Sequence, residues 1–167
     1  MKKIIFLLLA FSLSIGIIGC TKAPIDNKVV ESKEIPSTDK IDVSNLTLLD
    51  EYLFDFDEDG EEERIAMYTA AEKDENGEIV WDDGQNWLFL VQDTDKDYVL
   101  FDDYVQLGNI DFYVYTLEDD FYIDTVQVGT ANLTLKSYHY DKDKNSFIMT
   151  VPYNTTGNVN MMKRSNY

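Results

Sequence analysis

From residue 46 onward, the apolar side chains come in short runs and show no helical period. Each run is rich in Tyr, Phe, Val, Ile and Thr and ends at a cluster of Asp, Asn or Gly. Aromatic and β-branched residues favour strands, and such polar clusters favour tight turns. The pattern therefore predicts strands at residues 46–54, 64–70, 86–92, 98–101, 110–118, 121–128, 131–140 and 147–151.

One of these runs, at residues 86–92, is apolar on both faces. Successive side chains of a strand point to opposite faces of its sheet, and both faces of this run carry large apolar groups. These side chains are Trp87, Leu88, Phe89, Leu90 and Val91. Such a strand is typical of a position with cover on both sides. We therefore expect it in the middle of a sheet.

The run at residues 131–140 alternates instead. Leu133 and Leu135 share one face, and the opposite face starts with polar groups. That second face carries Asn132, Thr134, Lys136, Tyr138 and Tyr140. The alternation predicts a half-exposed antiparallel strand with its leucines in the core. It also places the two tyrosines near the surface.

The fold class follows from the short polar clusters between the runs. Short connections favour antiparallel pairing of consecutive strands. The Asn76-Gly77 pair is a further turn signal, because glycine accepts a positive φ. We predict an all-β fold with a single domain over residues 46–167. Its antiparallel meander forms a small sandwich or a strongly bent, propeller-like sheet.

The N-terminus has the pattern of a secretion signal. Lys2 and Lys3 precede an apolar run at residues 4–18, which is too short for a comfortable membrane span. Gly19 and Cys20 follow, and Cys20 is the only cysteine in the chain. This pattern predicts a signal helix that directs export and is then removed.

The end of this segment, Ile17-Ile18-Gly19-Cys20, resembles the lipobox of bacterial lipoproteins. The resemblance implies that residues 1–19 are a cleaved signal peptide. It also implies that Cys20 is acylated with palmitate-like chains and anchors the protein to the extracytoplasmic side of the cell membrane, or to the outer membrane in a cell with two. An ordinary signal peptide followed by a free cysteine, or an uncleaved anchor helix, are the alternatives.

Residues 20–45 follow the signal and show no sustained apolar period. They contain Pro24, Pro36 and several serines, and their charges nearly balance. Such a composition cannot bury enough apolar surface to form a core. We therefore predict that residues 20–45 are the lipidated cysteine followed by a flexible linker, and that this linker holds the domain away from the membrane.

The charge of the chain excludes some partners. Its 32 acidic residues outnumber its 14 Lys and Arg, which gives a net charge of -18. Nucleic acid is excluded as a partner, because binding to phosphates needs a basic face. An anionic membrane surface repels the domain, so the Cys20 lipid anchor must provide the contact with the membrane. The single cysteine also excludes a disulfide within the chain and a zinc site built on thiolates.

The candidate chemistry lies at residues 55–63, which read Asp-Phe-Asp-Glu-Asp-Gly-Glu-Glu-Glu. Carboxylates this close repel one another unless a cation neutralises them. Calcium prefers several oxygen ligands, and acids at alternate positions of a tight loop with a glycine at the turn can supply them. The predicted ligands of a structural Ca²⁺ are Asp55, Asp57, Asp59, Glu61 through its backbone carbonyl, and Glu63.

The shorter pattern Asp-x-Asp-x-Asp-Gly-x-x-Glu, followed by an apolar strand, resembles the calcium loops of FG-GAP and VCBS-type β-repeats. It departs from them at Glu58, where those loops often have glycine. An EF-hand is rejected because Ala66 stands where its last acid belongs and strands flank the loop. The resemblance implies a weak, structural calcium clip. The alternative is that residues 55–63 form an acidic solvated turn. We expect such a turn at residues 93–97, where acids also alternate but no glycine follows.

The sequence offers little for catalysis, and we expect no enzyme. His139 is the only histidine, and adjacent acids such as Asp102 and Asp103 point to opposite faces of a strand. We expect a monomeric binding or interaction domain at the cell envelope, with an envelope protein or a glycan as its partner. The alternative is a cell-wall glycan hydrolase or its accessory, working with surface carboxylates and aromatic side chains. The aromatic side chains that could form a carbohydrate or peptide platform are Trp81, Trp87, Tyr113, Tyr115, Tyr122, Tyr138 and Tyr140. Of these, Tyr138 and Tyr140 are the better surface candidates.

Overall fold

A computed structural model describes residues 32–118 and 120–155 of the chain, and these residues form nine strands. The strands are β1 (Ser32–Pro36), β2 (Thr47–Phe54), β3 (Glu63–Thr69), β4 (Gly84–Gln92), β5 (Asp97–Gln106), β6 (Asn109–Leu117), β7 (Asp120–Val128), β8 (Leu133–Asp141) and β9 (Ser146–Asn154). Within this described part, no helix is long and apolar enough to cross a membrane.

The strands form two antiparallel sheets. One has four strands in the order β2-β3-β4-β5, and the other has five in the order β1-β9-β8-β7-β6. Apart from the pairing of β1 with β9, every pair joins two strands that are consecutive in sequence, so each sheet contains a meander. The chain passes from one sheet to the other between β5 and β6. The sheets do not close into a barrel. This confirms the predicted all-β antiparallel fold, and the arrangement is consistent with the small sandwich.

Each predicted strand corresponds to one of β2 to β9, although the bounds differ. The largest difference is in β5, which the sequence ends at residue 101 and the structure continues to Gln106. Its later residues include the exposed Asp102 and Asp103. β5 lies at the edge of its sheet, where exposed charged side chains are common. Its backbone still pairs with β4 over these polar residues, so the strand continues past the apolar run.

β4 is an internal strand with apolar cover on both faces, as predicted. Phe89 and Val91 are buried in the core between the two sheets. Leu90 points to the other face and belongs to a second buried cluster with Ala66 and Tyr68. The partly buried side chains that pack against this second cluster include Ile41, Val43, Leu46 and Leu48.

The linker prediction is wrong for the described residues between 32 and 45. β1 adds to the edge of β9, and Ile35 is the one side chain of β1 that is buried. After β1, Lys40 and the backbone N–H of Ile41 both bind the carboxylate of Asp97 in β5, at 2.8 Å and 2.7 Å. Asp97 is fully buried. A buried carboxylate needs such partners, so they hold this segment against the domain. Residues 20–31 lie outside the described part.

The prediction of a surface position for Tyr138 and Tyr140 is also wrong. Both rings are buried between the sheets, while Leu133 and Leu135 are only partly buried. A tyrosine can be buried when its hydroxyl finds a partner. The Tyr138 hydroxyl donates to the carbonyl of Leu100 at 3.1 Å, and burial raises the pKa of Tyr138 to about 12.

Candidate metal centre

The acidic run forms the loop between β2 and β3, and its own carboxylates set its shape. Asp55 accepts hydrogen bonds from the backbone N–H groups of Asp59 and Gly60, both at 3.1 Å. Asp59 in turn accepts one from the N–H of Glu61 at 2.8 Å. Aspartates commonly stabilise tight turns in this way. The loop therefore places its carboxylates on the inside of a turn.

Two residues of this loop have left-handed backbone conformations. Gly60 has a φ of 96°, in agreement with the predicted role of glycine in the sharp turn. Glu58 has a φ of 65°, which a glycine would adopt at less cost. Glu58 is also the position at which the calcium loops named above often have glycine. The departure in sequence thus keeps the backbone conformation that glycine favours.

The loop brings together four of the five predicted ligands. Asp55, Asp57, Asp59 and Glu63 each offer a carboxylate oxygen, and these oxygens all lie within 4.8 Å of one another. The carboxylate of Glu61 is not in this group, and it accepts a hydrogen bond from the hydroxyl of Thr94 at 2.7 Å. Its predicted contribution was its backbone carbonyl. Four hard oxygen donors in one place can hold a divalent cation.

Glu63 is the innermost of the four, with only 2% of its surface exposed. Its carboxylate accepts a hydrogen bond from the backbone N–H of Phe56 at 3.0 Å. Burial, with the nearby charges of Asp57, Asp93 and Asp59, raises the pKa of Glu63 to about 7. Burial and the charge of Asp59 also raise the pKa of Asp57. A positive charge at this place would relieve both effects.

The basic side chains near the loop form ion pairs with carboxylates outside the four-carboxylate cluster. Lys142 pairs with Glu58 at 3.0 Å, and Lys96 pairs with Asp93 at 3.1 Å. Among the residues that the structure describes, no Lys or Arg forms an ion pair with a member of the four-carboxylate cluster. The cluster therefore lacks a basic side chain from this part of the chain that would neutralise it.

Phe56 fixes the loop to the core, and the sequence analysis did not identify this role. It stands between two of the predicted ligands, yet its ring is buried in an aromatic cluster formed by both sheets. Its ring neighbours are Tyr98, Phe121, Tyr140 and Phe147. The signal that could have shown this is one apolar residue in a run of acids.

The other candidate residues do not form a second centre of this kind. Residues 93–97 make the predicted turn, in which the N–H of Asp93 donates to the carbonyl of Lys96 at 3.0 Å. The ring of His139 packs at a tilt against that of Tyr122, and His139 lies 3.9 Å from a carboxylate oxygen of Asp120. Residues 1–19 and the predicted lipidation site Cys20 lie outside the described residues.

Without calcium, the domain is expected to become less stable as the pH rises from about 5 to about 8. The folded state holds a proton on Glu63 up to a pKa of about 7, whereas the unfolded chain releases it near the ordinary value of 4.5. Stability from this group is therefore present below the lower value and is lost as the pH rises through the upper one.

Urea unfolding in EDTA at the two pH values measures this effect, which we expect to be roughly 1–3 kcal/mol. Glu63→Gln cannot titrate and should lose most of the difference. An equal pH dependence in wild type and Glu63→Gln would show that Glu63 is not the responsible group.

In comparisons with known proteins, the chain matches no protein-family model, no curated protein and no solved structure. The two resemblances described above therefore rest on the residues quoted for them.

Proposed function

We propose that this chain is a bacterial lipoprotein that Cys20 anchors to the extracytoplasmic side of the cell membrane. Its β domain is stabilised by one calcium ion and binds a component of the cell envelope without catalysing a reaction. The observation that carries the proposal is the cluster of four carboxylates around the buried Glu63.

The residues of the loop fit calcium as the ion. Asp55, Asp57, Asp59 and Glu63 would hold it through carboxylate oxygens, and the backbone carbonyl of Glu61 is a further candidate ligand. Calcium accepts six to eight oxygens at flexible distances, whereas magnesium demands a strict octahedron and keeps several waters. The bound ion would supply positive charge to carboxylates whose pKa is raised in its absence.

The position of this loop supports a structural role for the ion. The loop joins β2 to β3, and Phe56 inserts from it into the core between the sheets. An ion that holds the acids together would therefore also hold the aromatic core in place. Binding of an ion to the folded state alone raises the free energy of unfolding.

The positions of the carboxyl groups whose pKa values are raised support binding rather than hydrolysis. A glycan hydrolase needs an acid of raised pKa in a cleft that accepts the substrate. Asp57 and Glu63, whose pKa values are raised, lie in the acidic loop and would serve as ligands of the ion. If the loop holds calcium, these two acids are not available to a hydrolase.

Replacing Cys20 with alanine is expected to release the protein from the membrane. Acyl chains on Cys20 would provide the attachment, because the acidic surface is repelled by anionic lipids. The measurement is metabolic labelling with a palmitate analogue, followed by cell fractionation and mass spectrometry of the mature chain. Wild type and the neighbouring control Thr21→Ala should be labelled and in the membrane fraction. A Cys20→Ala protein that stays in the washed membranes, or a wild type without acyl mass, would contradict the anchor.

A further inference from the structure

An aromatic cleft of about 400 Å³ lies away from the acidic loop, beside Trp81. This volume falls within the range of about 300–1,000 Å³ that is common for small-ligand sites. Trp81 is 53% exposed, and its ring stacks on the buried Trp87 at 5.9 Å between centroids. Apolar side chains from three strands complete the lining: Leu49, Met67, Ile110 and Phe112. We name this the Trp81 cleft.

The loop that carries Trp81 is held on both sides by backbone hydrogen bonds. Before it, the N–H of Val80 donates to the carbonyl of Glu72 at 2.9 Å. After it, the carbonyl of Asp83 accepts from the N–H of Leu107 at 2.8 Å. An exposed ring that is already positioned loses less conformational freedom when a ligand covers it. Trp81 therefore presents a preformed stacking surface.

The charged groups of the Trp81 cleft are hydrogen-bond acceptors. Asp50 and Asp111 contribute carboxylates, and Asn109 donates its side-chain N–H to Asp111 at 2.9 Å. Asp50 and Asp111 are both exposed, so a ligand in the cleft can donate hydrogen bonds to their carboxylates. Of the described residues that line the cleft, none is Lys or Arg.

A second cleft of about 320 Å³ shares Trp81 and Trp87 with the first. Its lining includes Gln85 and Gly108. The tryptophan pair thus lies between two adjacent hollows. A ligand with several similar units could place one unit in each hollow and cover the ring of Trp81 between them.

We propose that the Trp81 cleft binds a neutral oligosaccharide of the cell envelope, stacked on Trp81 and hydrogen-bonded through its hydroxyls to Asp50 and Asp111. This inference rests on the proposed function and names its ligand class. The C–H face of a pyranose ring carries partial positive charge and matches the negative face of an indole. Sugar hydroxyls can donate hydrogen bonds to the exposed carboxylates of the cleft. The two carboxylates repel anionic polymers, which excludes phosphate-rich or uronic-acid glycans.

The test is isothermal titration calorimetry of the full mature chain in a detergent without a sugar headgroup. The probes are chitotetraose, cellotetraose and maltotetraose, with a polygalacturonate oligomer and an extended basic peptide as competitors of other classes. At least one neutral probe should bind with a micromolar to millimolar Kd. Trp81→Ala should weaken that binding at least about tenfold, as removal of a central aromatic contact commonly does. Asp111→Ala should weaken that binding severalfold, because it removes a hydrogen-bond acceptor of the cleft. Tyr153→Ala removes an exposed aromatic side chain outside the cleft and should leave the Kd for the sugar unchanged.

Absence of heat with all three neutral probes at millimolar concentration would overturn the inference. So would binding of the anionic oligomer or the peptide alone, or equal binding by Trp81→Ala and Tyr153→Ala. The same samples are melted with calcium and with EDTA. A calcium shift without sugar binding would refute the glycan site and leave the proposed calcium-stabilised domain intact. Cleavage of the bound probe would keep the glycan site and refute the non-catalytic role.

Discussion

Replacing Phe56 with alanine is expected to lower the free energy of unfolding by about 3–5 kcal/mol, the usual cost of removing a buried aromatic ring. The ring is only 2% exposed and packs between the sheets. Its nearest ring neighbour is Tyr140 at 4.5 Å, and Phe121 and Phe147 both lie at 5.4 Å. Urea unfolding followed by tryptophan fluorescence measures the loss.

Tyr153→Ala is the matched control, because this aromatic side chain on β9 is exposed. It should change stability by no more than about 0.5 kcal/mol. If Phe56→Ala lowers the free energy of unfolding by less than about 1 kcal/mol, the ring does not pack in the core as described. Since Phe56 anchors the acidic loop, the same substitution should also reduce the stabilisation by calcium.

Calcium is expected to raise the melting temperature by about 10 °C when it is present at about a hundred times its Kd. Mass action at that ratio contributes about 2.7 kcal/mol to the folded state. In a domain of this size, each kcal/mol raises the melting temperature by several degrees. The comparison is thermal unfolding in calcium and in EDTA, followed by circular dichroism. Magnesium at the same concentration should produce a smaller shift, because it dehydrates reluctantly.

Asp57→Asn should abolish most of this calcium shift. It should also raise the melting temperature in EDTA, because it removes one of the mutually repelling carboxylates. Glu58→Gln is the matched control in the same loop, since Glu58 pairs with Lys142 and lies outside the cluster. Identical melting of the wild type in both buffers, or a full calcium shift in Asp57→Asn, would reject calcium at this loop.

The fold could be predicted from sequence where the signal is local. Most of the runs that became β2 to β9 are separated by short polar turns, although a longer loop joins β3 to β4. Apart from the pairing of β1, each sheet pairs strands that are consecutive in sequence. β1 could not be found in this way. It has one inward apolar residue, Ile35, and its partner β9 lies more than a hundred positions away in the chain. Its pairing depends on tertiary structure, which a local pattern does not report.

The faces of β8 show a second limit. Leu133 and Leu135 predict one face for the core, and the structure uses the face of Tyr138 and Tyr140. Tyrosine has a large apolar ring and a polar hydroxyl, so it can lie on either the buried or the exposed face of a strand. The hydroxyl partners that permit its burial come from distant positions, such as the carbonyl of Leu100 for Tyr138.

The candidate metal centre was more accessible to sequence reasoning, because its ligands fall within one turn. Spacing alone identified Asp55, Asp57, Asp59 and Glu63, which the structure brings together. Spacing could not show that Glu63 is buried. The sequence identified Trp81, Trp87 and Tyr113 as aromatic candidates but could not place them in one cleft, because the cleft joins a loop of one sheet to Asn109 of the other.

Calcium titration calorimetry of the full chain, with wild type and Glu63→Gln in parallel, tests the central claim most directly. The account predicts one ion per wild-type chain with a Kd of about 10⁻⁴–10⁻³ M, the range typical of extracellular calcium-binding modules. It predicts at least about tenfold weaker binding for Glu63→Gln, which loses a charged ligand. No saturable binding by the wild type, or equal binding by the two proteins, would contradict it.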